Sequence, residues 1–172
     1  MTAKDHMDNK KATSLYEYIR GRNLTGAQGI IKLDDDRMVL TQVYSHEGHD
    51  MLTDEITFDG YRAIKILARH KGRDDIFYLS PIMPDHRKVG PELDMLTISD
   101  LCCPVAKTPL PRIAPCGCTM GAFYRQVFLD PSLSEEWSIG FCDAYGCTRS
   151  FLRDESEIIS EMLNNLLWSQ YE

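Results

Sequence analysis

The chain has 172 residues, 43% of them hydrophobic and 26% charged, with a formal net charge of −7; this is the composition of a globular chain long enough to bury a sizeable core. The acidic balance disfavours nucleic acid and anionic membrane surfaces, both of which are bound through clustered Lys and Arg. No apolar run approaches the ~20 residues of a membrane span, and MTAKDHMDNKK at the N-terminus lacks the apolar centre of a secretory signal.

These features set the expectation of a soluble cytoplasmic protein with no membrane attachment. Residues 1–9 are polar and read as a flexible N-terminus ahead of one domain over 10–172. Ala12, Leu15, Tyr16 and Ile19 recur at helical spacing and Gly21 can stop the helix, so 12–23 is predicted as a short amphipathic helix. Residues 29–33 (GIIKL) and 37–45 (RMVLTQVYS) are rich in β-formers and predict a hairpin with Asp34, Asp35 and Asp36 at its tip. Three adjacent aspartates lack the alternating carboxylates of a calcium loop, so the tip reads as solvated. His46 and His49 lie in a loop over 45–55. Their HEGH run is one residue short of the zinc-protease spacing, and Gly48 disfavours the helix that motif needs.

Asp59 reads as the cap of a helix over 60–71, buried through Ile64, Leu67 and Ala68 and ended by Gly72. Its outer side would carry Arg62, Lys65 and Arg69, followed by His70, Lys71 and Arg73. This is the basic concentration of the chain and reads as a solvated face or a seat for an acidic partner. A strand over 75–83, a loop over 84–94 and a short strand over 95–98 follow. Residues 99–119 hold prolines and cysteines that forbid helix, so a Cys/Pro-rich loop is expected over 99–120. Residues 121–130 and 135–142 flank Asp130-Pro131-Ser132, a turn sequence, and predict a hairpin with Phe128 opposite Trp137 and Tyr124 opposite Phe141. Asp154 and Glu157 form a capping box ahead of Ile158, Ile159, Met162, Leu163, Leu166 and Leu167. That stripe predicts a helix over 154–170 that packs on the core or forms a homodimer interface.

The resulting order, α-ββ-α-β-(β)-Cys loop-ββ-α, predicts a single α+β domain with a mostly antiparallel sheet and flanking helices. In element order alone it resembles the profilin-like group that includes GAF, PAS and roadblock modules, a likeness that implies fold and no activity.

The chemistry of the chain concentrates in its six cysteines: Cys102, Cys103, Cys116, Cys118, Cys142 and Cys147. Continued outward, the predicted hairpin carries Cys118 toward Cys147, so Cys116, Cys118, Cys142 and Cys147 emerge at one open end. Four converging thiolates are the ligand set of a tetrahedral Zn²⁺ site. Gly117 and Gly146 suit the tight turns such a site requires. Cys102 and Cys103 point to opposite faces of an extended segment, so at most one of them can join the same ion. An Fe–S cluster also takes four cysteines, though none of its established spacings occurs. A redox pair, Cys118 with Cys147 or Cys116 with Cys118, and small thiols filling a core stay open as readings.

No nucleophile elbow, P-loop or dinucleotide fingerprint is present, and Gly26-Ala27-Gln28-Gly29 precedes a strand, on the wrong side for a phosphate cradle. A Cys–His catalytic pair would draw Cys103 or Cys116 together with His46, His49 or His86. Asp100 and Asp143 read as turn residues. The sequence thus points first to a small binding or regulatory module with a zinc-stabilised cysteine site, acting on a protein partner or small-molecule ligand. The alternatives are a thiol- or metal-dependent enzyme and a redox or Fe–S sensor.

Overall fold

The computed structural model describes residues 29–33, 37–83, 85–135, 138–147 and 150–153. The expected helices over 12–23 and 154–170, with the dimer interface assigned to the latter, and the aspartate tip 34–36 lie outside them. The described residues form antiparallel β-structure with no α-helix.

Three sheets share one interior. The first joins β1 (Ile30–Lys32), β2 (Met38–Leu40) and β6 (Ile82–Met83). The second is built on β4 (Tyr61–His70), flanked on one side by β5 (Arg73–Leu79) and then β7 (Lys88–Val89). The other side of β4 is shared by β3 (Leu52–Phe58), opposite its first residues, and β8 (Asp100–Cys102), opposite Leu67 to Arg69. The third sheet runs in the order β12 (Ser150–Arg153), β11 (Ser138–Cys142), β10 (Phe123–Phe128) and β9 (Arg112–Pro115). Each sheet sends side chains into the main core: Ile30, Met38 and Leu40 from the first, Ile64 and Ile66 from the second, Val127 and Ile139 from the third.

The α+β expectation fails at 60–71. That segment is β4, the central strand of the second sheet, and without an internal helix the profilin-like element order does not hold. The misreading has a physical cause. Ile64 and Ile66 face the main core, while Ala63 is buried against Phe58 and Ile82 on the other side. A strand covered on both faces loses its polar–apolar alternation, and its buried residues then also fit a helical stripe. The decisive local signals are the two dipeptides at its ends. Asp59-Gly60 and Lys71-Gly72 all take positive φ (51°, 86°, 49° and 76°) in two-residue loops closed by Phe58–Tyr61 and His70–Arg73. Two consecutive left-handed residues make the hairpin turn whose twist matches its strands, so Asp59 and Gly72 bound hairpins and do not cap a helix.

Four residues of the basic concentration have carboxylate partners in place. Arg62 faces Asp50, Lys65 faces Glu55 at 2.7 Å, Arg69 faces Asp74 at 3.0 Å and Arg73 faces Asp75 at 3.0 Å. These are cross-strand and turn-spanning pairs, which pleated neighbours make readily, and they lie on a strand, not on the expected helix face.

The Cys/Pro-rich loop of 99–120 contains β8 and β9. The expected strand over 95–98 is reduced to a bridge between Ile98 and Ala144. The 121–142 hairpin forms, but one residue out of the expected register: Phe128 pairs with Ser138 and Tyr124 with Cys142. The connection is not a symmetric turn. Asp130 accepts from the Ser132 hydroxyl and the Ser134 amide, and Leu133 is left-handed at φ 57°. Register is then held inside the sheet, where the buried Gln126 amide donates to the buried Ser138 hydroxyl at 3.0 Å.

The fold separates two kinds of destabilisation. Gly60→Ala meets open space, so its cost should be that of a left-handed side-chain-bearing residue, about 1–2 kcal/mol. Ile64→Ala, at a site with 0% exposure, should cost about 2–5 kcal/mol through cavity formation. Denaturant unfolding of both variants measures the two costs.

Candidate metal centre

Two turns create the site. The first follows β9: Cys116 comes directly after the strand, its amide donates to the Ala122 carbonyl, and the chain reverses through Gly121 at φ 84° into β10. The second follows β11. Cys142 ends that strand, the Cys147 amide donates to the Ala144 carbonyl, and Gly146 takes φ 81°. The left-handed glycines of the two turns are therefore Gly121 and Gly146, not Gly117 and Gly146 as the sequence suggests.

Because β10 pairs with both β9 and β11, the two turns leave the same end of the sheet. Their four sulfurs meet there. One ligand atom from each of Cys116, Cys118, Cys142 and Cys147 lies within 4.8 Å of all the others. The contacts run Cys116 to Cys147 at 3.8 Å and Cys118 to Cys142 at 3.6 Å, crossing between the turns. The expected Cys118–Cys147 opposition thus gives way to a different pairing within the same four residues. At these separations the sulfurs are free thiols, well beyond the ~2.05 Å of a disulfide.

The turns also present matching donors to sulfur. The Ala144 amide donates to Cys142 Sγ at 3.4 Å, and the Cys118 amide donates to the Cys116 sulfur. In each turn the amide two residues on stabilises negative charge on the first cysteine. Cys116 is drawn down to about 4, first by the Cys142 thiol donating to it, and further by Tyr124 and the Cys118 amide, against the opposing effect of burial. Cys118 is pushed up to about 11, by burial first and then by Cys116. Cys142 is pushed up chiefly because its own proton is shared with Cys116. Cys116 carries the charge while Cys118 and Cys142 hold their protons. Only a cation among them allows all four to ionise together.

A buried ion pair fixes the second turn onto β10. Asp143, inside the C-x₄-C segment, accepts from the Phe123 amide at 2.8 Å and from Arg125 Nε at 3.0 Å. Both side chains are shielded, with 3% exposure for Arg125 and 1% for Asp143. Arg125 also donates to the Leu110 carbonyl at 2.9 Å and meets Asp100 at 2.8 Å. The outer side of the turn is held by a short backbone ladder. The Tyr145 amide donates to Thr97, Leu96 to Tyr145 and Ser99 to Asp143. Asp100 and Asp143 read from sequence as turn residues; Asp143 does lie in the turn after β11, Asp100 lies in β8, and together they are the two carboxylates of one buried guanidinium. The sequence signal for this was a charged residue, Arg125, alternating with Phe123 and Val127 on β10.

The remaining candidates lie elsewhere. Cys102 and Cys103 are fully buried. Cys102 pairs with Leu67 across β8–β4 and its thiol is pushed up, by burial first and then by Asp100. Cys103 belongs to the main core. Neither joins the four-sulfur group. His46 lies 3.4 Å from Glu47 in the 45–50 loop, and the His49 amide donates to Ser45. His86 borders a cavity with Cys142 and Cys147, not with Cys103 or Cys116. Among the described residues, the group of His, Cys, Asp or Glu that could hold a metal is the four cysteines alone. No helix of the described residues is long and apolar enough to cross a membrane.

Comparison of the chain with models of known families, with curated proteins and with solved structures gives no match.

The ion pair supplies a test of how the site is positioned. Arg125→Met leaves the Asp143 carboxylate buried and unpaired and should cost about 3–5 kcal/mol. Arg125→Met combined with Asp143→Leu should cost less than the two single changes added together, a coupling read from a double-mutant cycle of denaturant unfolding.

Proposed function

We propose that the chain is a small binding module whose two cysteine turns are locked together by one structural Zn²⁺ ion. The observation that carries this reading is the mutual approach of four sulfurs within 4.8 Å. A tetrahedron with Zn–S bonds of about 2.3 Å has sulfur–sulfur edges of about 3.8 Å. The 3.6 and 3.8 Å contacts match such edges, and little rearrangement separates the present group from a coordinated one. An iron–sulfur cluster places more than one metal among its thiolates and spreads them farther than a single ion does.

Four protein sulfurs complete a tetrahedral shell. No position is left for a water or a substrate, which is the distinction between a structural and a catalytic zinc site. The ion would supply positive charge that lets all four thiols ionise, and it would cross-link residues far apart in the chain. The amides of Cys118 and Ala144 would then hold the Cys116 and Cys142 thiolates, and the Arg125–Asp143 pair would orient the second turn. The satellite core around Ile113, Ala114, Ala122, Tyr124 and Ala144 is small and packs directly on the cysteines. A cluster of this size needs a further constraint, as small cores generally do. Absence of the nucleophile and cofactor motifs sought in the sequence favours binding over catalysis.

Elemental analysis of the purified chain should return about one zinc per chain, with four thiols protected from titration until a chelator removes the metal. Serine at Cys116, Cys118, Cys142 or Cys147 should abolish stoichiometric zinc, while Cys102→Ser should retain it. At a free-ion concentration a hundred times Kd, the loaded chain should exceed the stripped one in stability by about 2.7 kcal/mol. A visible absorption band with iron in place of zinc, or six titratable thiols with no metal, would overturn the reading.

A further inference from the structure

A cavity of about 160 Å³ lies between the second sheet and the 142–147 turn. Its interior is apolar, walled by Ile66, Phe77, Leu79, Leu101 and Phe141. One wall is the outer surface of the cysteine turn, with Cys142, Tyr145 and Cys147 facing it. Phe77 and Tyr145 stand 6.1 Å apart, centroid to centroid, with their rings tilted by 55°. The size is informative. An apolar cavity of about 150 Å³ accommodates a benzene molecule, so this one takes a single ring or a compact branched chain.

The charge at the mouth is also informative. Asp85 is held by the Ser80 hydroxyl at 2.7 Å and by Arg87 Nε at 2.7 Å. Arg87 is in turn clamped by both oxygens of Asp59. Arg87 thus bridges two carboxylates, and this group keeps one net negative charge. Asp143, on the same wall, belongs to Arg125. Lys88 is different. Its ammonium rests 3.6 Å from the Tyr145 ring centroid and meets no carboxylate among the described residues. It stands at the entrance with His86 beside it. An apolar interior with one cation at its lip that no carboxylate of the described residues contacts is complementary, at that point, to a molecule with a compact apolar body and one negative end.

We propose that this cavity binds a small monocarboxylate with a ring-sized apolar body, the body between Phe77, Leu101 and Phe141 and the carboxylate on Lys88. The proposal deepens the binding-module reading and rests on it for the ligand-binding role, but the cavity walls contributed by β4 and β5 do not depend on the identity of the metal. A free α-amino acid would be disfavoured, because its ammonium would meet Lys88.

The test uses the full chain as purified, with its metal content measured on the same sample, and titrates 3-phenylpropionate, 3-phenylpropan-1-ol and acetate by calorimetry and by amide shifts. The acid should bind about tenfold or more tightly than the alcohol, as expected for one charge-assisted contact, and acetate should not saturate. Lys88→Met, an exposed change, should bring the acid down to the affinity of the alcohol and leave the alcohol unmoved. Leu101→Trp, which fills the interior, should abolish both. Equal affinity for acid and alcohol, an unchanged Lys88→Met, or no saturable binding by either compound overturns the proposal; the last is the result expected if another part of the chain fills the cavity. Loss of binding in a chain that carries one zinc leaves the metal reading standing, and binding in a chain without metal overturns the metal reading alone.

Discussion

The contact between Arg125 and Asp143 is the constraint on which the rest of the site depends. A guanidinium on β10 is taken almost wholly out of water, where an unpaired charge would be costly. Its partner must therefore be delivered by the neighbouring strand, and that partner sits immediately after Cys142. Pairing the charges places the start of the second cysteine turn. The same guanidinium reaches Asp100 on β8 and the Leu110 carbonyl, so one side chain ties the third sheet to the second.

From that anchor the cysteines divide into two populations with different chemistry. Cys102 and Cys103 sit in the apolar interior, where burial favours the neutral thiol and the side chain behaves as a small hydrophobe. The other four lie half-buried or buried at a sheet end, supplied with amide donors and crowded against one another. Crowding draws Cys116 toward the thiolate and holds Cys118 and Cys142 toward the thiol. The cluster could hold a metal ion, and the turn that carries Cys142 and Cys147 is also a wall of the adjoining cavity. Metal and ligand would then be linked through one six-residue turn.

Much of the site was legible from sequence because it depends on local pattern. Two β-rich segments around Asp130-Pro131-Ser132 must pair, and cysteines just beyond their outer ends must come near one another. Finer geometry was not legible. A one-residue change in register moves every side chain of a strand to its opposite face, and here the register is held by Gln126 and Ser138, a buried contact that no turn rule anticipates. Segment 60–71 was misread for a related reason. Its apolar residues are ambiguous between a helix and a strand covered on both sides, and the Asp59-Gly60 and Lys71-Gly72 turns that decide the matter were read as caps.

What the sequence by itself determined is the supply of thiols, their grouping around a hairpin, and the acidic net charge, since these follow from composition and short-range pairing. Only the tertiary structure decided that β4 is a strand, that Asp100 and Asp143 both pair with Arg125, and that Cys102 and Cys103 stand apart from the other four. Each of those outcomes is set by what lies across the core from a residue, and burial between distant segments outweighs the weak preference any short stretch of chain has for its own conformation.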